Sequence, residues 1–117
     1  MRSLFHPSIQ DVRLEAILHA LSDPVRVQIF SEIAAADCAK TCSAFASVKD
    51  RVIPKSSLSQ HFKVLREAGL IHSERQGVEM HNTSRCTEVD GRFPGLLAAI
   101  MSAHAIEAGH EGMAPAA

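Results

Sequence analysis

Residues 55–71, which read KSSLSQHFKVLREAGLI, contain the strongest structural pattern in the sequence. Its apolar residues Leu58, Phe62 and Leu65 follow the spacing i, i+4, i+7, which places them on one face of a helix. Pro54 precedes this run and Gly69 ends it, so the sequence predicts a helix over residues 55–68. The opposite face is polar, hydrogen-bonding and basic, and it carries Ser56, Ser59, Gln60 and Lys63.

Two short extended runs come directly after this helix. Residues 70–75 and 78–83 are joined by Gln76-Gly77, a sequence that predicts a β-hairpin. Gly77 suits the turn because glycine tolerates a positive φ. A last helix is predicted from about Pro94 to Ala108, followed by a flexible tail over residues 109–117.

Upstream of residue 55, the sequence predicts three further helices. The first begins near Ser8, with Asp11 three residues on, and ends near residue 22. The second begins at Pro24 behind the N-cap residue Asp23 and fades within residues 34–39. The third is a short segment over about residues 42–48 that ends in the charged turn 49–51.

The predicted order is therefore four helices, a two-stranded hairpin and a fifth helix, which is mainly α and typical of a winged helix-turn-helix domain. The length of 117 residues fits one such domain, predicted over residues 1–108. The odd cysteine count and the lack of a secretory signal favour a reduced, cytoplasmic protein. No apolar run approaches the length needed to span a bilayer, so no membrane contact is expected.

Charge is unevenly distributed along the chain. The formal net charge is −1, but residues 40–75 contain seven Lys or Arg and three Asp or Glu, for a local charge of +4. A basic segment that includes a helix and a hairpin is typical of nucleic-acid binding. The chain has no Trp and no Tyr to stack on bases, which favours double-stranded DNA over a single strand.

Each residue type on the outer face of the helix has a defined chemistry toward DNA. Gln60 can read an adenine edge, Lys55 and Lys63 can neutralise phosphates, and Arg75 at the hairpin can reach the backbone or the minor groove. His61 fits either a DNA contact or a role in steadying the helix. The alternative for the whole face is an ordinary solvated helix. The predicted DNA-binding residues are Lys55, Ser56, Ser57, Ser59, Gln60, His61, Lys63, Arg75 and Gln76.

Two motifs in the chain resemble those of a known family. Residues 21–30, LSDPVRVQIF, are similar to the L-x-D/N-P-x-R-x-x-I/L signature of ArsR-type winged-helix repressors. Residues 57–71 resemble the recognition-helix pattern of the same family, S/T-x-S-x-H-L/F-K-x-L-x-x-A-G-L-V/I. Arg26 lies in the first motif, where a structural role or a position near the DNA backbone is expected. The resemblance extends over about residues 10–105.

This resemblance implies a homodimeric transcriptional regulator that binds an imperfect inverted repeat as a repressor. It also implies that the first and last helices of two subunits pack together, and the wide apolar stripes predicted on both helices agree. The predicted dimerisation residues are Ile9, Val12, Ile17, Leu97, Ile100 and Met101.

The family resemblance also directs attention to Cys and His residues, because many ArsR-type proteins release DNA when such ligands are engaged. Cys38 and Cys42 would share a face on a continuous helix, and Cys86 could add a third thiol. His104 and Glu107 reproduce only half of the metal-binding pattern on the last helix of the family. We therefore expect no required cofactor, with a thiol- or metal-responsive sensor as the alternative.

Other classes of function have less support in the sequence. It has no Gly-rich phosphate loop, nucleophile elbow or paired-carboxylate signature, so no enzyme is expected. A winged-helix adaptor that binds protein instead of DNA is the alternative from another class. The inducer, if one exists, is not identified by any motif.

Overall fold

The computed structural model describes residues 4–35, 40–41, 47–48 and 51–112. Within these ranges the chain forms five α-helices and five short strands, and a 3-10 helix at Ile9–Asp11 precedes the first α-helix. The elements are α1 (Leu14–Ala20), α2 (Pro24–Ala35), β1 (Lys40–Thr41), β2 (Ser47–Val48), β3 (Arg51–Val52), α3 (Lys55–Glu67), β4 (Ile71–Gln76), β5 (Glu79–Ser84), α4 (Cys86–Arg92) and α5 (Leu96–Gly112).

A single hydrophobic core joins the helices to the root of the hairpin. Phe30 of α2 and Phe62 of α3 are the largest of its fully buried side chains. Because the chain lacks larger aromatic residues, aliphatic side chains fill the space around these two rings. The aliphatic members include Val12, Ile17, Leu21, Ile29, Ile33, Leu58, Leu65, Leu70, Ile71, Val89 and Leu97.

The hairpin that follows α3 belongs to a three-stranded antiparallel sheet. β4 pairs with β5 from Ile71↔Ser84 to Gln76↔Glu79, and β1 pairs with the other edge of β5. The predicted hairpin is confirmed, but its two-residue turn is Gly77-Val78 instead of Gln76-Gly77. Gln76 lies in the ladder opposite Glu79, and Gly77 supplies the positive φ of +66°.

The predicted short helix over residues 42–48 is wrong at its end. Ser47–Val48 is a strand that pairs antiparallel with Arg51–Val52, so Arg51 is also in a strand and not in the predicted turn. Residues 42–46, 49 and 50 lie outside the described residues. The five helices are therefore distributed differently from the prediction, with three before the hairpin and two after it.

The first predicted helix is divided in two. Val12 and Arg13 are extended between the 3-10 helix and α1, with ψ of 128° and 144°. The Val12 carbonyl accepts a hydrogen bond from Arg92 Nε at 2.7 Å, a contact from α4 that replaces helical pairing at this point. The Ser8 hydroxyl forms no cap and instead donates to the Asp11 carboxylate at 3.0 Å.

The last predicted helix also differs from the structure. Helix α4 precedes it and was not predicted, because Val89 is the only buried residue in its seven-residue span. Helix α5 begins at Leu96, two residues after the predicted start at Pro94, and continues to Gly112. The domain boundary at residue 108 stays a prediction.

Candidate nucleic-acid interface

Helix α3 presents an exposed polar face opposite its buried apolar face. Leu58, Phe62 and Leu65 point into the core, with exposures of 7%, 2% and 0%. Their burial leaves the other side of the helix in solvent, as the spacing predicts. Six of the predicted DNA-binding residues are exposed on α3, namely Lys55, Ser56, Ser57, Ser59, Gln60 and Lys63.

The ends of α3 are fixed by the chain on either side. The Leu58 N–H donates to the Pro54 carbonyl at 2.9 Å, which begins the helical hydrogen bonding. At the other end Gly69 adopts a φ of +85°, and the Leu70 N–H donates to the Leu65 carbonyl at 3.1 Å. A Cβ on Gly69 would overlap the buried Val12 side chain, so the turn after α3 packs closely against the segment before α1.

The hairpin, which we call the wing, carries the remaining predicted DNA contacts. Arg75 and Gln76 lie at the end of β4 and are exposed, next to the turn at Gly77 and Val78. Gln76 Nε2 donates to Glu74 Oε1 at 3.4 Å. The wing therefore offers one cation and one amide near its tip, beside the exposed carboxylate of Glu74.

The DPVR motif has a structural role at the junction of α1 and α2. Asp23 Oδ1 accepts hydrogen bonds from the N–H groups of Val25 at 2.8 Å and Arg26 at 3.1 Å, which confirms the predicted N-cap. Arg26 Nε donates to the Ala20 carbonyl at 2.8 Å, and its Nη2 donates to the His19 carbonyl at 3.3 Å. Arg26, only 12% exposed, thus connects the end of α1 to the start of α2.

Asp23 is held in its ionised form by this arrangement. Burial raises the pKa of its carboxyl, but the two backbone N–H donors and the charges of Arg26 and His61 outweigh burial and leave the pKa below its ordinary value. Arg26 Nη1 lies 3.9 Å from Asp23 Oδ2. The junction before α2 is therefore a charged and hydrogen-bonded turn.

His61 differs from its neighbours on α3. It is half-buried, and its Nδ1 atom is buried without a hydrogen-bond partner in the described part of the chain. The charge of His61 also contributes to the lowered pKa of Asp23, the residue that precedes α2. This position favours a role in steadying the helix over a direct DNA contact.

The predicted dimerisation residues fall into two groups. Val12, Ile17 and Leu97 are buried within the protomer itself, with exposures of 2%, 0% and 5%. The other three, Ile9, Ile100 and Met101, are half-buried. The exposed large apolar side chains include Phe5, Leu14, Leu18 and Ile106.

The candidate metal or thiol ligands are not brought together in the described residues. Cys86 is a half-buried free thiol at the start of α4, and His104 Nε2 lies 3.0 Å from Gln28 Oε1. Glu107 is exposed, and Cys38 and Cys42 lie outside the described residues. Lys40–Thr41, which separates these two cysteines in the sequence, is a strand. Across the described ranges, no three His, Cys, Asp or Glu side chains are grouped to hold a metal ion.

None of the helices within the described ranges has both the length and the apolar character needed to cross a bilayer.

Comparisons with known proteins agree with this architecture. Residues 21–74 match the model of a family described as a helix-turn-helix domain. The fold is similar to that of an ArsR-like transcriptional regulator from Rhodococcus sp. RHA1, with a TM-score of 0.56 and 20% identity over 87% of this chain and 94% of that one. It is also similar to reduced HlyU from Vibrio cholerae N16961, with a TM-score of 0.55 and 26% identity over 67% of this chain and 78% of that one. Among curated protein sequences, none matches this chain.

Proposed function

We propose that this chain, an ArsR-type winged helix-turn-helix regulator, binds a specific double-stranded DNA sequence as a homodimer and represses transcription from it. The observation that carries the proposal is the outer face of α3, where exposed Ser, Gln and Lys side chains stand opposite a fully packed apolar face. A helix of this kind can enter the major groove because its backbone is fixed by the core while its polar side chains remain free to reach base edges.

Each exposed residue has a proposed role. Gln60 reads a base edge, since its amide can donate to and accept from adenine, and Ser56, Ser57 and Ser59 contact bases or phosphates. Lys55 and Lys63 neutralise phosphates and fix the helix in the groove. Arg75 and Gln76 of the wing contact the adjacent backbone or minor groove.

The proposed homodimer places one α3 in each of two half-sites. Leu14 and Leu18 are four residues apart on α1 and expose apolar surface on the same side, with 42% and 48% exposure. Ile106 on α5 is 67% exposed. A second copy that covers these faces would set the half-sites about 34 to 36 Å apart, one helical turn of DNA.

The experiment that tests this function is a binding titration on duplex DNA from the region upstream of the protein's own coding sequence. We expect Gln60→Ala to weaken binding by about 5- to 150-fold for each protomer bound, because each protomer loses one specific base contact. Glu67→Gln is the matched control, because Glu67 is exposed on the same helix and its charge opposes DNA. Its binding should be no weaker than wild type.

Two results would contradict the proposal. One is a wild-type protein that binds the upstream duplex no more tightly than an unrelated duplex of the same length. The other is an affinity that is unchanged in Gln60→Ala, Lys63→Ala and the double variant. Either result would favour a winged-helix adaptor that binds protein. Repression itself is tested with a reporter gene under the same upstream region, whose expression should rise when the chain is removed.

A further inference from the structure

The amino-terminal segment, residues 4–8, lies against the outer edge of the wing. The sheet order is β1-β5-β4, so β4 is an edge strand, and among the described residues no strand pairs with its outer side. The Ser73 N–H on this edge donates to His6 Nε2 at 3.0 Å. Ser73 is only 3% exposed, so His6 provides a partner for an N–H group that little water can reach.

Two further contacts fix the same segment. The His6 ring stacks on the ring of His72, with centroids 4.4 Å apart and an interplanar angle of 23°. One residue further along, the Pro7 carbonyl accepts a hydrogen bond from Arg85 Nη1 at 2.9 Å. These contacts join residues that are 66 to 78 positions apart in the chain, so they attach the segment to distant parts of the fold.

The hydrogen bond from Ser73 requires a neutral His6 ring. An imidazole nitrogen that accepts a hydrogen bond cannot also carry a proton, and both nitrogens of a charged ring are donors. Protonation of His6 would therefore set an N–H against the Ser73 N–H. It would also place positive charge beside the stacked ring of His72 and near the guanidinium of Arg85.

We propose that His6 is a pH-sensitive latch that holds the amino-terminal segment on the edge of the wing while its ring is neutral and releases the segment when its ring is protonated. The latch also positions the wing, because Ser73 is two residues before Arg75 on the same strand. Release should therefore weaken DNA binding, a consequence that rests on the proposed function.

The charged and titratable groups around His6 disfavour protonation of its ring more than they favour it. Burial lowers the pKa of His6, and the positive charges of His72, Arg66 and Arg85 lower it further, against a smaller opposite effect of a hydrogen bond to the Leu4 backbone. Two carboxylates are near these groups. Glu88 Oε2 lies 2.8 Å from Arg85 Nε and Glu74 Oε2 lies 3.9 Å from His72 Nε2, and both side chains are at least half exposed to solvent.

The direction of the pH dependence follows from this lowered pKa. In the released segment His6 should titrate near its ordinary value of 6.5, whereas in the attached segment it titrates lower. Attachment is therefore complete above about pH 6.5 and is lost as the pH falls from there through the lowered pKa of the attached state. A cavity of about 410 Å³, lined in part by His6, His72 and Arg85, lies beside the ring.

The experiment measures protection of the Ser73 backbone amide against hydrogen exchange, at about pH 7.5 and about pH 5.5, corrected for the intrinsic pH dependence of exchange. In the wild type we expect protection to fall by about threefold to tenfold at the lower pH, as the hydrogen bond is lost. His6→Gln keeps an acceptor that does not titrate and should be equally protected at both values. His6→Ala should be poorly protected at both, and circular dichroism verifies that each variant is folded.

His19→Gln is the matched control, because His19 is an exposed histidine on α1. It should reproduce the pH response of the wild type. The latch proposal is contradicted if protection of the wild-type Ser73 amide is the same at both pH values. It is also contradicted if this amide loses protection at the lower pH in His6→Gln as it does in the wild type.

Binding to the upstream duplex at the same two pH values separates this proposal from the proposed function. A fall in wild-type affinity at the lower pH that is reduced in His6→Gln supports the connection between latch and wing. Equal pH responses of wild type and His6→Gln overturn that connection. If neither the wild type nor any variant binds the duplex at either pH, the proposed function fails. Hydrogen exchange at the Ser73 amide still tests the latch in that case.

Discussion

Helices α3 and α5 bury very different shares of their apolar surface. Helix α3 separates its residues cleanly, with its large apolar side chains in the core and polar side chains in solvent. Helix α5 is rich in apolar residues, yet of residues 96–109 only Leu97 is buried. The apolar face of α3 is therefore covered within one protomer, whereas most of the apolar surface of α5 is not.

The largest expected effect comes from the buried face of α3. Phe62→Ala should lower the free energy of unfolding by about 3 to 5 kcal/mol, because a fully buried ring leaves a cavity that the core cannot fill. Chemical denaturation followed by circular dichroism measures this loss. Ile106→Ala on α5 is the control in the same assay at low protein concentration, and a loss there as large as that for Phe62 would remove the contrast between the two helices.

The end of α3 should be the next most sensitive position. Gly69→Ala would place a side chain on a residue with a positive φ, and its Cβ would overlap the Val12 side chain. We therefore expect a loss of about 2 to 5 kcal/mol in the free energy of unfolding. Gly77→Ala is matched in conformation, with a φ of +66°, but its Cβ would meet open space, so about 1 to 2 kcal/mol is expected. Equal losses in thermal or chemical unfolding would show that close packing after α3 has no part in its stability.

The smallest effect on folding is expected at the exposed face of α5. Ile106→Lys should change the free energy of unfolding of a protomer by no more than about 0.5 kcal/mol, yet it should shift the molecular mass in solution from dimer to monomer. Light scattering coupled to size exclusion measures the mass. Val78→Lys, at an apolar residue that is 96% exposed on the wing tip, should stay dimeric, and an Ile106→Lys protein that is still dimeric would exclude this face as the contact.

The sequence predicts α3 to within one residue because three independent signals agree there. The apolar spacing, Pro54 before the helix and Gly69 after it all depend on local physics. The hairpin is also predicted, but its turn is displaced by one residue because only the register of Gln76 opposite Glu79 determines which pair is in the loop.

Other features depend on contacts that are distant in sequence. The break in the first helix at Val12 results from a hydrogen bond to Arg92, 80 residues away, which no local pattern contains. Helix α4 has one buried residue and a glycine, so its periodicity gives no signal. The stack of His6 on His72 likewise joins the amino-terminal segment to β4, 66 residues away, and no local pattern in the sequence predicts it.

For the site, the residue types on α3 were predictable and their surroundings were not. Exposure of Gln60 and Lys63 follows from the burial of Phe62 on the opposite side of the helix. The half-buried position of His61, between the exposed Gln60 and the buried Phe62, is not revealed by spacing alone. Likewise, the role of Arg26 in joining α1 to α2 required the carbonyl groups of Ala20 and His19 to be in place.

If the outer face of α3 contacts the phosphates of duplex DNA, the affinity must depend on salt concentration, and loss of a cation from this face must reduce that dependence. The measurement is the slope of log affinity against log salt concentration on the upstream duplex, for wild type and Lys63→Ala. We predict that the slope becomes shallower by about 0.9 for each protomer bound, since one phosphate contact per protomer is lost. An unchanged slope in Lys63→Ala, with the protein folded and binding, would contradict the claim.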